Sequence, residues 1–413
     1  MKFRPIAFAI AGLVALSLSA CGTGGNGGTP ATSASSQAPT AVTLTVWGPQ
    51  EDQVDSTSWL PTQEAAFQAA HPEFTITWQN SVVSEGDAAT TVKQDPTAAA
   101  DVYMFANDQL GTLIQANAVG VLPPASLAQV QQQNSDVMIK SVTGSDGQVY
   151  GVPYTANTWF MYYDKSKFTS DDIKNLDSML AKQKVAFPLD TAWYLPSFYF
   201  GNGATFFGAD GTDESAGINL SNQGDVTTYL VNLVANANFV DDANGAGLAG
   251  LQNGTISAYF SGSWDAAAVK TALGDNYAAA QPPTYTLNGQ PAQMKSFAGS
   301  KAIAFNPNAK NPQAAAQFAA FLGSTAAQQA HYAMRDIIPS DKSLASDPTI
   351  SQDPVALAQM DTIANASVLQ PTVAAMSNFW DPAAAFGKAL ISGDVNASNA
   401  AAKTDAWNAG YAS

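Results

Sequence analysis

The sequence is poor in cysteine, histidine and positive charge. It has one cysteine, Cys21, so neither an intramolecular disulfide nor a cysteine zinc site can form. Its two histidines, His71 and His331, are too few for a multi-histidine metal centre and supply a Ser–His or Cys–His triad poorly. Charged residues make up only 12%, and 33 acids against 17 bases leave a formal charge of −16. Such a surface repels phosphate backbones, which argues against a nucleic-acid binder. Long apolar runs are also missing beyond the first twenty residues, so no later segment reads as a membrane span. What is abundant is apolar mass: 46% of 413 residues, enough for a large core and more than one domain.

Lys2 and Arg4 precede a small and apolar stretch from Ile6 to Ala20. Residues 1–20 therefore read as a signal peptide, too short to span a bilayer. The run Leu18-Ser19-Ala20-Cys21 resembles the bacterial lipobox. That resemblance implies cleavage before Cys21 and a lipid on its sulfur. Residues 21–40 are mostly Gly, Ser, Thr, Ala and Pro and read as a flexible tether. The mature chain is expected at the outer face of the cytoplasmic membrane, anchored without spanning it.

The body opens with alternation over Val42–Trp47, then a helical pattern over Trp59–Ala70 stopped by His71-Pro72. Phe74–Trp78 alternates again, and Asp101–Phe105 reads as a buried strand leading to a helix capped near Asn107-Asp108. This rhythm predicts parallel α/β structure. Val149–Tyr163 is long, aromatic and extended, suited to crossing between lobes, and Ser296–Phe305 offers a second crossing. Helices are expected over Ile173–Lys184, Trp264–Leu273, Pro312–Leu322, Asp353–Asn365, Phe379–Ser392 and Ala400–Gly410, and a strand over Thr255–Phe260. Asp241–Gly250 reads as an acidic, small-residue loop, and Pro282–Gln293 as polar and turn-rich.

Four stretches together resemble one family, the extracellular solute-binding proteins of bacterial ABC importers, nearest the maltose and maltodextrin branch. They are Leu44–Trp47, Asp101–Asp108, the Gly254…Gly262-Ser263-Trp264 pattern and Met376–Trp380. The resemblance covers nearly all of residues 42–410. It implies a type II, two-lobed α/β fold hinged by two or three crossing segments. It places the amino-terminal lobe at 41–153 plus 301–346 and the carboxy-terminal lobe at 154–300 plus 347–413. It implies a protein, not an enzyme, that closes on an oligosaccharide, at best maltose or maltodextrin, and delivers it to a membrane ABC permease. A monomer is expected, with no cofactor and no metal.

A sugar ring offers an apolar C–H face and a hydroxyl edge, so its cleft needs aromatic faces beside carboxylates and amides. By position in the family motifs the stackers would be Trp264, Trp380 and Trp193 or Tyr194, with Phe105 where the maltose branch has a tryptophan. Core packing is the competing reading for each ring. The hydrogen-bonders would be Asp108, Gln109, Asn157, Asp381, Glu51 and Asp52. Asp108 would also serve as a helix N-cap. Gln109 stands for an Arg of that branch, Asn157 for a Glu, Asp381 for a Tyr and Glu51-Asp52 for an Asp-Lys pair, so the polar set is retailored.

Three rival readings stand beside this one. Asp190 and Asp108 could form the acid–base pair of a glycoside hydrolase. The same fold could hold a cation such as a polyamine against Glu51, Asp52 and Asp381, or another non-α-glucan oligosaccharide. A surface adhesin would need no cleft. The acidic loop Asp210, Asp213, Glu214 lacks the spacing of an EF-hand and reads as a solvated turn.

Overall fold

The computed structural model describes residues 38–411 apart from residue 98. The expected signal peptide, Cys21 and most of the expected tether lie outside the described residues.

Fifteen strands are present among the described residues, most of them in two sheets. The first sheet holds β1 (Thr40–Gly48), β2 (Phe74–Val82), β3 (Val102–Ala106) and β4 (Val152–Asn157). The second holds β5 (Phe160–Asp164), β6 (Val185–Phe187), β9 (Phe239–Asp241), β10 (Ala258–Ser261) and β11 (Tyr277–Ala280). Strands β7 (Thr205–Phe206) and β8 (Ile218–Asn219) pair in one small ribbon, β12 (Thr284–Leu287) and β13 (Gln290–Gln293) in another. Strands β14 (Ser296–Phe305) and β15 (Ser367–Leu369) complete the first sheet, whose order is β15-β14-β3-β1-β2 with β4 beside β14. The second runs β11-β5-β10-β6-β9.

Parallel pairing of β1 with β2 and β3 requires helical crossovers, and the helix Trp59–Ala70 supplies one. Both faces of β3 are covered, which is why Val-Tyr-Met-Phe-Ala shows no alternation. The helix Pro312–Leu322 lies over the same sheet. Pro312 starts it, and the Asn311 side chain accepts from the Ala314 N–H at 3.0 Å.

Two aliphatic and aromatic cores follow. One joins residues between Val42 and Tyr154 with residues between Ala302 and Ala327. The other joins residues between Trp159 and Phe297 with residues between Val373 and Trp407. A satellite cluster, from Phe160 to Ala358, packs beside the second sheet. The architecture is two-lobed, and the chain passes between lobes at identifiable places. Thr158-Trp159 links β4 to β5. Strand β14 pairs with β15 through Ser296–Ala298 and with β3 through Lys301–Phe305. The segment after the helix Thr325–Arg335 runs past β4, where the Thr155 hydroxyl donates to the Ile338 carbonyl at 2.6 Å. Buried Thr158 Oγ1 ties the first two crossings together, 2.8 Å from Ser296 Oγ and 2.8 Å from the Phe297 carbonyl.

Val149–Tyr163 is largely extended as expected, holding the two strands β4 and β5. Several local expectations are corrected. The pattern over Ile173–Lys184 breaks at Asn175, which is extended and caps a short helix, Leu176–Leu180. The expected loop Asp241–Gly250 contains most of a helix, Ala246–Gln252. Its small residues serve close packing: a Cβ on Gly250 would stand 2.4 Å from the Ile256 side chain. The acidic turn closes on itself, with Asp213 accepting from the Ser215 and Ala216 N–H groups.

Candidate functional site

The carboxyl end of β3 leads into a turn, Asn107–Gln109, at the edge of the first sheet. Asp108 projects from this turn half-buried, into a cleft of about 310 Å³ lined by Asp108, Asn157, Trp193, Gln370 and Trp380. These five residues come from five places in the chain, brought together where the crossing segments meet. Asn157 ends β4 and Gln370 follows β15, its N–H donating to the Ala298 carbonyl of β14 at 2.8 Å. Trp193 precedes the helix Pro196–Gly201, and Trp380 opens the helix Trp380–Ser392.

Elementary forces fix each side chain. Fully buried Asn107 accepts from Asn157 Nδ2 at 3.4 Å and donates to the Gln370 carbonyl at 3.4 Å. Its amide lies against Gly299, where a Cβ would approach to 2.2 Å, so only glycine fits at that point of β14. Trp193 Nε1 donates to Gln370 Oε1 at 3.3 Å, which fixes the indole plane. Trp380 stands edge-on to Phe297 and Phe379 at 6.2 and 5.4 Å. Asp108 caps no helix with its side chain. Burial pushes its carboxyl from 3.8 up to about 7, and a backbone hydrogen bond pulls only weakly the other way.

Beside this cleft lies a second cavity of about 190 Å³, lined by Glu51, Asp52, Glu85, Tyr154, Trp264, Lys301 and their neighbours. Trp264 and Trp193 connect the two, their ring centroids 6.0 Å apart. Asp52, Glu85, Lys301 and Arg335 are paired within the protein. Asp52 Oδ1 accepts from Arg335 at 2.6 Å and sits 2.9 Å from His331 Nε2. Lys301 Nζ is 3.1 Å from Glu85, whose carboxyl is held below its usual range; burial opposes this, but the Lys301 charge and the Tyr154 hydroxyl prevail.

The expected residues divide accordingly. Asp108, Asn157, Trp193 and Trp380 meet in one cleft, with Trp264 adjoining. Phe105 does not reach it: the ring is fully buried in the first core beneath Gly151, because β3 is covered on both faces. Tyr194 stacks on Trp159 at 5.0 Å in the second core and edges a different cavity, with Asp242, Tyr259 and Asp265. Gln109 turns inward, donating to the Glu85 and Gly86 carbonyls and accepting from the Ala89 N–H. Asp52 is likewise consumed internally, whereas Glu51 is exposed at the rim of the second cavity. Asp381 is exposed in the first turn of its helix and lines neither cavity. Gln370, Asn107, Glu85 and Lys301 were missed. Gln370 follows a three-residue strand too short to read, and the other three were hidden because their partners lie far away in the chain.

Asp190, the partner proposed for an acid–base pair, does not line the cleft. It lies near Asp241 and Asp242: after burial it is the next group raising the Asp241 carboxyl, while at Asp242 burial and then Asp265 come before it.

The family described as bacterial extracellular solute-binding protein matches residues 63–359. A maltooligosaccharide ABC transporter solute-binding lipoprotein of Streptococcus pneumoniae is 30% identical over 321 residues, 73% of this chain and 74% of its own. A galactooligosaccharide-binding protein of Bacillus subtilis is 25% identical over 401 residues, 91% and 89% of the two chains. A structure solved with acarbose superposes with a TM-score of 0.85 at 48% identity, covering 89% of this chain and 98% of that one. With more than half its length matched, the chain belongs to the bacterial extracellular solute-binding proteins.

Proposed function

We propose that the cleft binds a maltooligosaccharide between the two lobes and that the closed protein delivers it to a membrane ABC permease. The carrying observation is the composition of the cleft: two indoles, Trp193 and Trp380, beside one carboxylate and two amides, Asp108, Asn157 and Gln370. Indole faces remove sugar C–H surface from water, while the polar three match hydroxyls. The names of the pneumococcal relative and of the acarbose-bound structure support an α-glucan.

The mechanism is binding and closure. A single carboxylate lines the cleft, which favours binding over hydrolysis. The two cores support two lobes near 41–153 plus 301–346 and 154–300 plus 347–413, with Tyr154 in the first core and Thr158-Trp159 as the first crossing, rocking about the crossings. Ligand contacts from both lobes favour the closed state. The lipobox and tether support anchoring through Cys21 at the outer face of the membrane. A cationic ligand is disfavoured because Asp52 and Glu85 are already paired with Arg335 and Lys301.

A second reading keeps fold and mechanism and changes the cargo to a galactooligosaccharide, as in the name of the Bacillus relative, which aligns over most of this chain. Titrating the chain lacking residues 1–21 with both oligosaccharide series, and with spermidine, by tryptophan fluorescence separates them. Saturation by α-glucans alone is expected. Saturation by galactooligosaccharides alone moves the cargo, and a response only to spermidine, weakened by salt, overturns the sugar reading.

A further inference from the structure

Of the eight tryptophans Trp264 alone is exposed, at 43%, and an exposed indole ordinarily samples several rotamers. This one is confined from three sides. Its ring lies across Gly262, where a Cβ would stand 2.0 Å from a ring carbon. Gly262 has φ −97° and ψ −172°, an extended conformation open to most residues, so the ring rather than the backbone demands glycine. On the second side Lys301 Nζ lies 5.6 Å from the ring centroid, within reach of a cation–π contact. Lys301 is the one residue of ten-residue β14 that is not buried, and Glu85 anchors its ammonium at 3.1 Å. Tyr154 steadies Glu85 in turn, donating to the same carboxylate oxygen at 2.7 Å. On the third side stands Trp193, inclined at 34°.

We propose that Gly262 and Lys301 are positioning residues that hold the Trp264 indole beside Trp193, extending the aromatic wall of the cleft before any ligand arrives. This rests on the oligosaccharide reading for its purpose, but the positioning itself is a property of the free protein. Lys301 belongs to the strand that pairs with β3, whereas Trp264 follows β10, so the contact also joins the two lobes at the cleft edge.

The test uses Gly262→Ala, Lys301→Met and Lys301→Arg, each in the parent chain and in Trp264→Ala. Calorimetry with maltotetraose reads affinity, and near-ultraviolet circular dichroism with acrylamide quenching reads the indole without ligand. Gly262→Ala and Lys301→Met should each weaken binding roughly three- to tenfold and raise quenching, while Lys301→Arg keeps the parent values. In Trp264→Ala neither should weaken binding further, because both act through that ring. Parent affinity in both variants, or an equal loss persisting in Trp264→Ala, overturns the proposal. The pair Glu85→Gln/Lys301→Met guards against misfolding from an unpaired buried carboxylate. If the parent binds no oligosaccharide, the sugar reading fails separately. The ligand-free spectra then decide the positioning: altered by Lys301→Met it stands, unaltered it falls.

Discussion

Replacing Asp108 with asparagine should move affinity and stability in opposite directions. Burial raises this carboxyl from 3.8 to about 7, so the folded, unliganded protein holds a proton that the unfolded chain releases. Stability conferred by that retained proton is present below pH 4 and is lost as pH climbs from about 4 to 7. A rise from 3.8 to about 7 corresponds to at most about 4 kcal/mol, and solvent contact at the half-buried group lowers that. Asparagine keeps the shape and removes the charge, so above pH 7 the variant should melt higher than the parent. Binding runs the other way. Sugar hydroxyls donating to a carboxylate form charge-assisted bonds worth about 1.5–3 kcal/mol, or roughly 10- to 150-fold in affinity. Those bonds favour the ionised form, so binding expels a proton below pH 7 and affinity should rise with pH, by up to about tenfold per unit, until the group is ionised. In Asp108→Asn that dependence disappears. Calorimetry in buffers of different ionisation heat, with thermal melts at pH 5 and 8, measures all three effects. A pH-independent parent affinity together with unchanged binding in Asp108→Asn would refute the reasoning.

Trp380→Ala and Trp264→Ala should each weaken maltooligosaccharide binding by more than about tenfold, roughly 1.4 kcal/mol, with little change in melting temperature; titration calorimetry measures this. Phe105→Ala should behave inversely, losing about 3–5 kcal/mol of stability in urea unfolding while the surviving folded protein keeps its affinity. Asp52→Ala should cost about 3–5 kcal/mol, because Arg335 and the buried His331 lose their shared acceptor; denaturant midpoints test it.

The fold was legible where pattern and burial agree. Helices Trp59–Ala70 and Pro312–Leu322 and strand β14 carry their own periodicity, caps or apolar length, and their ends match the expected ones. Legibility failed where a distant partner decides. Ala246–Gln252 looks like a loop because its glycines are read as breakers, yet they admit Tyr259 and Ile256 at close range. Phe105 and Tyr194 look like cleft rings because of their positions in the family motifs. A strand covered on both faces and a stack on Trp159 hide them. No local signal marks Gln370, since its importance comes from Trp193, 177 residues earlier.

The hidden residues share a physical role that explains the division of labour in the cleft. Asn107, Gln370 and Glu85 bond chiefly to other protein groups: Asn107 to Asn157 and Gln370, Gln370 to Trp193 and β14, Glu85 to Lys301 and Tyr154. Each is buried, so its bonds form in a low dielectric where an unmade bond is costly and a made one holds its geometry. The residues they hold, Asn157, Trp193 and Lys301, therefore cannot relax toward one another when the cleft is empty. Asp108 is the exception, with burial unfavourable to its charge. A cleft whose walls are fixed by buried amides, and whose one carboxylate is left strained, gains most from a ligand that brings hydroxyls to that carboxylate. That gain, available only when the indole wall and the Asp108 turn both touch the ligand, is what would favour closure over the open state.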